Sequence, residues 1–541
     1  MKRSNFILVF LLLCSFLCSS QSPRLVIVFV VDQLSYANFM KLRSYYSGGF
    51  KKLIDNGIVY HNAIWPHGMP CTAAGHTGLS TGALPCVHGI VNNDWFDEQG
   101  KKVACDADSA QDAAVFSPTG LYSWGKSTRN TMVDTLSDQL KIACCEGKTC
   151  AVYVISGKSR SATAMAGRMG KAIWFDDNAG QFTSSKAYFN ELPDWLKSYN
   201  DEIHKKLTNY TWRLFFPTKS SAYTCSNPNS YKYTKADSVL DVPFELDQAD
   251  PKKFYNLIEK MPLAHDLVLQ CANICLEQLR QEEPGTIILW IGLSAVDKIG
   301  HLFGNTSKEY IDILYHLDNQ LDRFMRDLGT KINPVDTLFL LTADHGSMPI
   351  VELLGEKKFS LAKRINTIEL ACELNQTIDA KFGVKNLILE IDTPNIYFNQ
   401  NTWKLLDEKK QVAINQLIKK MMRKKSGIKQ VWTYEELQKS NFSSHDIAQF
   451  YKNQLFPGRS GQIIFQVFPY IFVSKYNTGG GHKTPYEYDT HVPLILYQPG
   501  TLFDKQIKKR VLVQQVAPTI ASLLQIPRPS ACPFEMLPGI S

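Results

Sequence analysis

With 541 residues, 44% hydrophobic and 20% charged, and no low-complexity tract or fixed-period repeat, the chain has the make-up of a globular protein with a sizeable core. This composition excludes a disordered or fibrous protein. The length exceeds the usual single core and predicts one large domain with substantial insertions, or two domains. A formal net charge of +8 is too mild to signal a nucleic-acid binder; the strongest basic run, Leu417 to Lys429, interleaves its lysines with apolar residues as a solvated amphipathic helix does.

The chain opens with Lys2 and Arg3, an apolar run from Phe6 to Cys18, and the small polar residues Ser19, Ser20 and Gln21. That is the layout of a signal peptide over residues 1–21. The apolar run is short for a membrane span and no later stretch is long enough, so an exported, periplasmic or secreted protein without stable membrane insertion is expected. Of the 13 cysteines, Cys14 and Cys18 belong to the leader and an odd number remains. Export predicts disulfides, with Cys144, Cys145 and Cys150 as one candidate group and Cys271 and Cys275 as another. Sequons occur at Asn209, Asn305, Asn375 and Asn441.

Four apolar runs follow, each ending abruptly in polar residues. "RLVIVFVVDQ" ends at Asp32, "AVYVISGKSR" at Lys158 and Arg160, "TIILWIGLSAVD" at Asp297, and "DTLFLLTADHG" at Asp344 and His345. Such runs are what buried parallel strands look like. Helical patterns alternate with them, as in "SKEYIDILYHLDNQLDRFMRDLG", whose apolar residues recur at i, i+3, i+4 and i+7. The alternation predicts an α/β fold, a doubly wound, mostly parallel central sheet with helices on both faces. Ligands bind beyond the carboxyl ends of such strands, so the four endings are expected to meet at one site. Two stretches break the pattern, 183–262 and 351–476. They are expected to be insertions within a catalytic domain of residues 22–541, forming a cap over the site.

Asp297 and His301 are four apart and share a face if helical; His482 follows three glycines in "NTGGGHKTPYEYDTHVP". With Asp32, Asp344 and His345 they make three Asp and three His, two sets of mixed O/N ligands of the kind that hold Zn²⁺ in open catalytic sites. "MPCTAAGHTGLSTG", Met69 to Gly82, offers two nucleophiles, Cys71 and Thr72, before small residues that can open a helix. Metal coordination is a recognised way to activate a hydroxyl, and a helix start aims its positive end at an oxyanion; a plain N-cap is the other role for Thr72. His76 and His88 read as structural. Asn93, in "IVNNDWF", and the pair Lys158 and Arg160 would donate to phosphoryl oxygens, with Trp95 and Phe96 shaping the pocket or packing.

The ordered set "VVDQ", "TAAGHTGLSTG", "NNDWF", "SGKSRSA", "SAVDKIGHLFG", "TADHG" and "GGGHKTPYEYDTHVP" resembles the alkaline phosphatase superfamily, specifically its PafA-like exported bacterial branch with a Thr nucleophile. The resemblance runs from Asp32 to "VAPTIASLLQI" and matches the insertions only loosely. It implies two Zn²⁺ per chain, one held by Asp297, His301 and His482, the other by Asp32, Asp344 and His345 with Thr72. His491 competes with His482, which is preferred because a Gly run can reach into a site. The resemblance also implies hydrolysis of small-molecule phosphate monoesters through a phosphothreonine. Sulfatases of the superfamily use Cys-x-Pro/Ala-x-Arg, and here Gly75 stands where the Arg belongs. A phosphodiesterase or nucleotide pyrophosphatase of the same superfamily is the alternative, followed by a sulfatase and by a catalytically silent metal-binding surface protein. The sequence says nothing of oligomeric state.

Overall fold

A computed structural model describes residues 22–144, 149–207, 210–234, 243–244, 251–282, 284–444, 446–500 and 505–540. Residues 1–21, where the signal peptide is expected, Cys145 and Asn209 lie outside these residues.

The centre is a nine-stranded sheet. Its strands in chain order are β1 (Leu25–Val31), β2 (Ile58–Tyr60), β3 (Cys150–Ser156), β4 (Lys171–Asp176), β5 (Gln181–Thr183), β6 (Thr286–Leu293), β7 (Thr337–Thr342), β8 (Leu494–Tyr497) and β9 (Lys505–Ile507). In space they run β5-β4-β3-β6-β1-β7-β8-β2-β9, and all except β5 and β8 point the same way. β1 is seven consecutive Val, Leu, Ile and Phe residues, all buried, which is stable only with cover on both faces.

Helices supply that cover. Gly49–Asn56, Pro262–Gln281 and Lys308–Gly329 pack on one another, and so do α1 (Thr72–Thr81), α2 (Ser159–Ala166), Leu136–Ala143 and Val516–Leu523. The two groups take opposite faces, as the doubly wound reading predicts. Among the described residues no helix is long and apolar enough to cross a membrane.

The register decides where the chemistry gathers. Val30 of β1 lies beside Gly292 of β6 and Thr342 of β7, and Gly292 lies beside Ser156 of β3. The carboxyl ends of four strands are therefore level. The residues that follow them, Asp32, Asp297, Asp344 and Lys158, leave the sheet at one edge.

The second insertion has its own core. Its antiparallel sheet runs Ile388–Asp392, Asn395–Phe398, Ile463–Val467, Ile428–Thr433, flanked by helices Thr367–Phe382 and Glu408–Lys424, with Leu374, Ile378, Ile414, Ile418 and Phe465 buried between them. Glu408–Lys424 buries Ile414, Ile418 and Met422, so the basic run is the solvated side of a packed helix. The segment 183–262 instead sends Trp212, Tyr223, Phe254 and Met261 into the main core, where Trp212 Nε1 donates to Asp312 Oδ2 at 2.7 Å.

The expected disulfides do not form among the described residues. Cys144, Cys271 and Cys275 are all free. Cys271 and Cys275 are buried one turn apart on the Pro262–Gln281 helix, where a thiol packs as a small apolar group. Two sequons are also turned inward: Asn305 is buried with its Nδ2 donating to Ser347 O, and Asn375 pairs with both backbone polar groups of Ile388. Asn441 is exposed.

Candidate active site

Two groups of potential ligands form at the carboxyl edge. Asp297 lies in the first turn of α3 (Ala295–Phe303) and His301 one turn on, so both face the cavity. His301 Nε2 is 3.2 Å and His482 Nε2 3.9 Å from Asp297 Oδ1. The glycines before His482 serve close approach rather than reach. A Cβ on Gly479 would lie 2.5 Å from His301 O, and one on Gly480 2.8 Å from Gly300 O, so only glycine lets this loop lie on α3. His482 Nδ1 donates to Pro70 O at 2.8 Å, which turns Nε2 toward Asp297. His491 points elsewhere: its Nε2 donates to His61 O, and its ring stacks on Tyr36.

The second group is Asp32, Asp344 and His76, all buried. His76 is a residue the sequence reading sets aside as structural, yet it lies 3.5 Å from Asp32 Oδ1 through Nε2 and 3.6 Å from Asp344 Oδ2 through Nδ1. Its signal was present: four residues after Thr72 on a helix is the same face. His345 stands between the two groups, with Nε2 3.2 Å from Asp344 Oδ2 and its ring stacked 3.7 Å from that of His482.

The donor set fits divalent cations. Asp32 Oδ1, Asp344 Oδ2, His76 Nε2 and His345 Nε2 are buried with no hydrogen-bond partner, which is costly unless an ion satisfies them. Burial pushes the Asp297 carboxyl up, but Lys158 and His301 outweigh it and hold the group well below the usual carboxylate range. In Asp32 burial prevails and the carboxyl is raised. Asp344 is lowered because the His345 imidazole outweighs burial, and His345 in turn is lifted by Asp344 to about 9. Burial, His345 and His301 together keep His482 neutral, the form that ligates metal. Carboxylates beside buried imidazoles are the mixed O/N set that suits Zn²⁺.

Thr72 is the first residue of α1, and the N-cap is Cys71, whose side chain makes no capping bond. The hydroxyl of Thr72 is therefore not occupied as a cap and makes no hydrogen bond to a described residue. Burial pushes the Cys71 thiol up to about 11, so it stays protonated among Met69 and Ala74 and is a poor nucleophile. Gly75 cannot be the arginine of a sulfatase. A Cβ there would lie 2.4 Å from Asp344 O, because α1 packs directly on the Asp344 backbone.

Lys158 is the N-cap residue of α2 and its ammonium spans the two groups, 2.8 Å from Asp32 Oδ2 and 2.6 Å from Asp297 Oδ2. Arg160 lies in the first turn of α2, has no carboxylate partner among the described residues, and buries its Nε without a hydrogen bond. Asn93 Oδ1 accepts from Ala73 N at 3.0 Å, fixing the side chain at the head of α1 with its amide nitrogen available.

A supporting layer ties these parts together, and none of it was visible in the sequence. Gln33 donates through its backbone N to Asp344 Oδ1 and through Nε2 to Asp297 Oδ1, at 3.1 and 3.0 Å. Asp392, in the inserted sheet, accepts from Lys483 Nζ at 2.7 and 2.9 Å and from Asn92 Nδ2 at 2.7 Å; Asn92 Oδ1 accepts from Asn93 N at 2.8 Å. A cleft of about 750 Å³ opens from His301 and His482 between α3 and the inserted sheet.

The model of the Type I phosphodiesterase / nucleotide pyrophosphatase family matches residues 26–491. The chain is 29% identical to alkaline phosphatase PafA of Elizabethkingia meningoseptica over 527 residues, 94% of this chain and 92% of that protein. It is 28% identical to alkaline phosphatase PhoV of Synechococcus elongatus over 519 residues, 94% of this chain and 91% of that protein. The crystal structure of wild-type PafA superposes with a TM-score of 0.84 at 26% identity, over 95% of this chain and 98% of that one.

Proposed function

This chain belongs to the Type I phosphodiesterase / nucleotide pyrophosphatase family, and we propose that it acts as a phosphoric monoester hydrolase of the alkaline phosphatase type, through a phosphothreonine on Thr72 and with two Zn²⁺ per chain. The observation that carries this reading is the meeting at one sheet edge of a hydroxyl at a helix start, two His/Asp groups, the one around Asp32 and Asp344 with orphaned buried atoms, and an arginine whose buried Nε has no partner among the described residues.

Asp297, His301 and His482 would hold one ion, and Asp32, Asp344 and His345 with Thr72 the other; His76 supports Thr72 from beneath, its Nδ1 donating to Thr72 O at 2.8 Å. Bound there, the ions supply the charge that activates a hydroxyl and stabilises a leaving alkoxide. The chain's own work is positioning and charge complementarity, as phosphoryl transfer requires. Thr72 Oγ1 attacks phosphorus in line; the Oγ–P bond forms, the bond to the alcohol oxygen breaks, and the alcohol leaves with a proton. Arg160 and the Asn93 amide donate to the non-bridging oxygens throughout, and Lys158 keeps positive charge beside them. Water then attacks from the vacated side, its oxygen–phosphorus bond forms as the P–Oγ bond breaks, and a proton from that water passes to Thr72, leaving inorganic phosphate.

A phosphodiesterase is the second reading, favoured by the description of the matching family. A diester leaves one non-bridging oxygen esterified, so it makes less use of the cations Lys158 and Arg160. Comparing mono- and bis-aryl phosphates in the wild type and in Arg160→Ala tests the choice: a monoester preference that Arg160→Ala erodes is expected, and a wild-type preference for the diester overturns it.

Export to the periplasm or medium is part of the proposal, supported by the Lys2/Arg3, apolar and small-polar order of residues 1–21. N-terminal sequencing of protein from the culture fraction tests it.

A further inference from the structure

The cleft that opens from His301 and His482 carries an unbalanced positive charge. Five lysines line it, Lys102, Lys260, Lys298, Lys475 and Lys483, against the carboxylates Asp94, Glu390 and Asp392. Pairing within the wall uses these carboxylates up. Lys102 reaches Asp94 at 3.0 Å and Glu390 at 2.8 Å, and Lys483 holds Asp392 at 2.7 Å. Lys298 is taken by Glu259 at 2.6 Å. Lys260 and Lys475 remain without a carboxylate partner among the described residues. Lys260 is partly buried, and burial together with neighbouring Lys298 disfavours its charged form more than Glu259 and Asp177 favour it, so an arriving anion would add to that support. Lys475 is exposed, 5.3 Å from the Tyr476 ring. The same cleft is lined by Leu302, Ile368, Phe472 and Tyr476, with Ile368 64% and Tyr476 51% exposed.

We propose that this cleft is a leaving-group subsite for phosphate monoesters whose alcohol carries a second anionic group on an apolar or aromatic stem. The inference rests on the monoesterase reading above. In-line attack by Thr72 expels the alcohol on the side of phosphorus away from α1, and the cleft begins at the Asp297, His301 and His482 group. The apolar residues take the stem. Lys260 and Lys475 meet the distal charge.

The test compares 4-carboxyphenyl phosphate with its neutral isostere 4-carbamoylphenyl phosphate, using full-length zinc-loaded enzyme as wild type and as the Lys260→Met/Lys475→Met variant. The wild type should favour the carboxylate ester in kcat/KM by about 3-fold or more, the scale of a partly exposed ion pair. That ratio should fall toward unity in the double variant and, for the wild type, at high salt. An equal or reversed ratio in the wild type, or a preference that survives both the double substitution and high salt, overturns the subsite while leaving the monoesterase intact. Failure to hydrolyse either ester overturns the monoesterase reading itself.

Discussion

The Lys483 ammonium is held by both oxygens of the Asp392 carboxylate, at 2.7 and 2.9 Å, so the inserted sheet grips the residue next to His482. Lys483 has φ of 93°, a backbone conformation that costs a non-glycine residue about 1–3 kcal/mol and persists only when its surroundings impose it. The same carboxylate reaches Asn92, and through it the backbone of Asn93. One carboxylate of the insertion thus positions both the loop of His482, a proposed metal ligand, and Asn93, a proposed oxyanion donor. Replacing Asp392 with Asn should lower kcat on an aryl phosphate by about 10-fold with little change in KM, as expected when only transition-state geometry is lost. Steady-state kinetics of the purified variant check this; unchanged kcat would show that the tether is merely structural.

Arg160 should matter more. Its Nε is buried without a hydrogen-bond partner among the described residues, and in the proposed reaction the guanidinium meets the substrate oxygens. Arg160→Ala should cost about 10²-fold or more in kcat/KM on a monoester, and Arg160→Lys should recover only part because a point charge lacks the planar fork. Equal rescue by Lys would contradict bidentate recognition.

Metal content can be counted. Elemental analysis should find two zinc ions per chain, and chelation should abolish activity and lower the melting temperature, since ligands that bind only the folded state stabilise it. His345→Ala should lose about one ion, whereas His491→Ala should keep both because its ring is engaged with His61 and Tyr36. Retention of both ions by His345→Ala, with loss of one in His76→Ala, would transfer the ligand role to His76.

Gly75 is fixed by packing. Gly75→Ala places a Cβ 2.4 Å from Asp344 O, so α1 or the Asp344 turn must shift. Overpacking of this kind costs about 1–3 kcal/mol. Urea unfolding and kinetics together should show that loss, with activity falling further than stability because the displaced backbone carries Asp344; wild-type behaviour in both would contradict the packing described.

The sequence made the strand-end carboxylates legible because a strand buried on both faces is apolar to its last residue, and Asp32, Asp297 and Asp344 stand where that ends. His301 followed from its helical spacing to Asp297. The Asp392 tether was not legible, since Lys483 and Asp392 are brought together only by tertiary structure. His76 carries only one local signal, its spacing of four from Thr72, and that spacing does not by itself distinguish a buried helix histidine from a ligand. The disulfides were expected from export and cysteine count, but Cys271 and Cys275 were claimed by the core. The two insertions differ already in sequence: 351–476 carries its own strand and helix signals and has its own core, while 183–262, rich in Tyr, Asn, Ser and Pro, spends its aromatics on the main one.

The most direct measurement is turnover and acid-quenched peptide mapping of the wild type and Thr72→Ala with an aryl phosphate, alongside metal content. The account predicts one phosphoryl group on the peptide holding Thr72 in the wild type. In Thr72→Ala it predicts no phosphopeptide, a loss of about 10³-fold or more in kcat and metal content close to the wild type's. A metal-replete Thr72→Ala enzyme with wild-type turnover would contradict it.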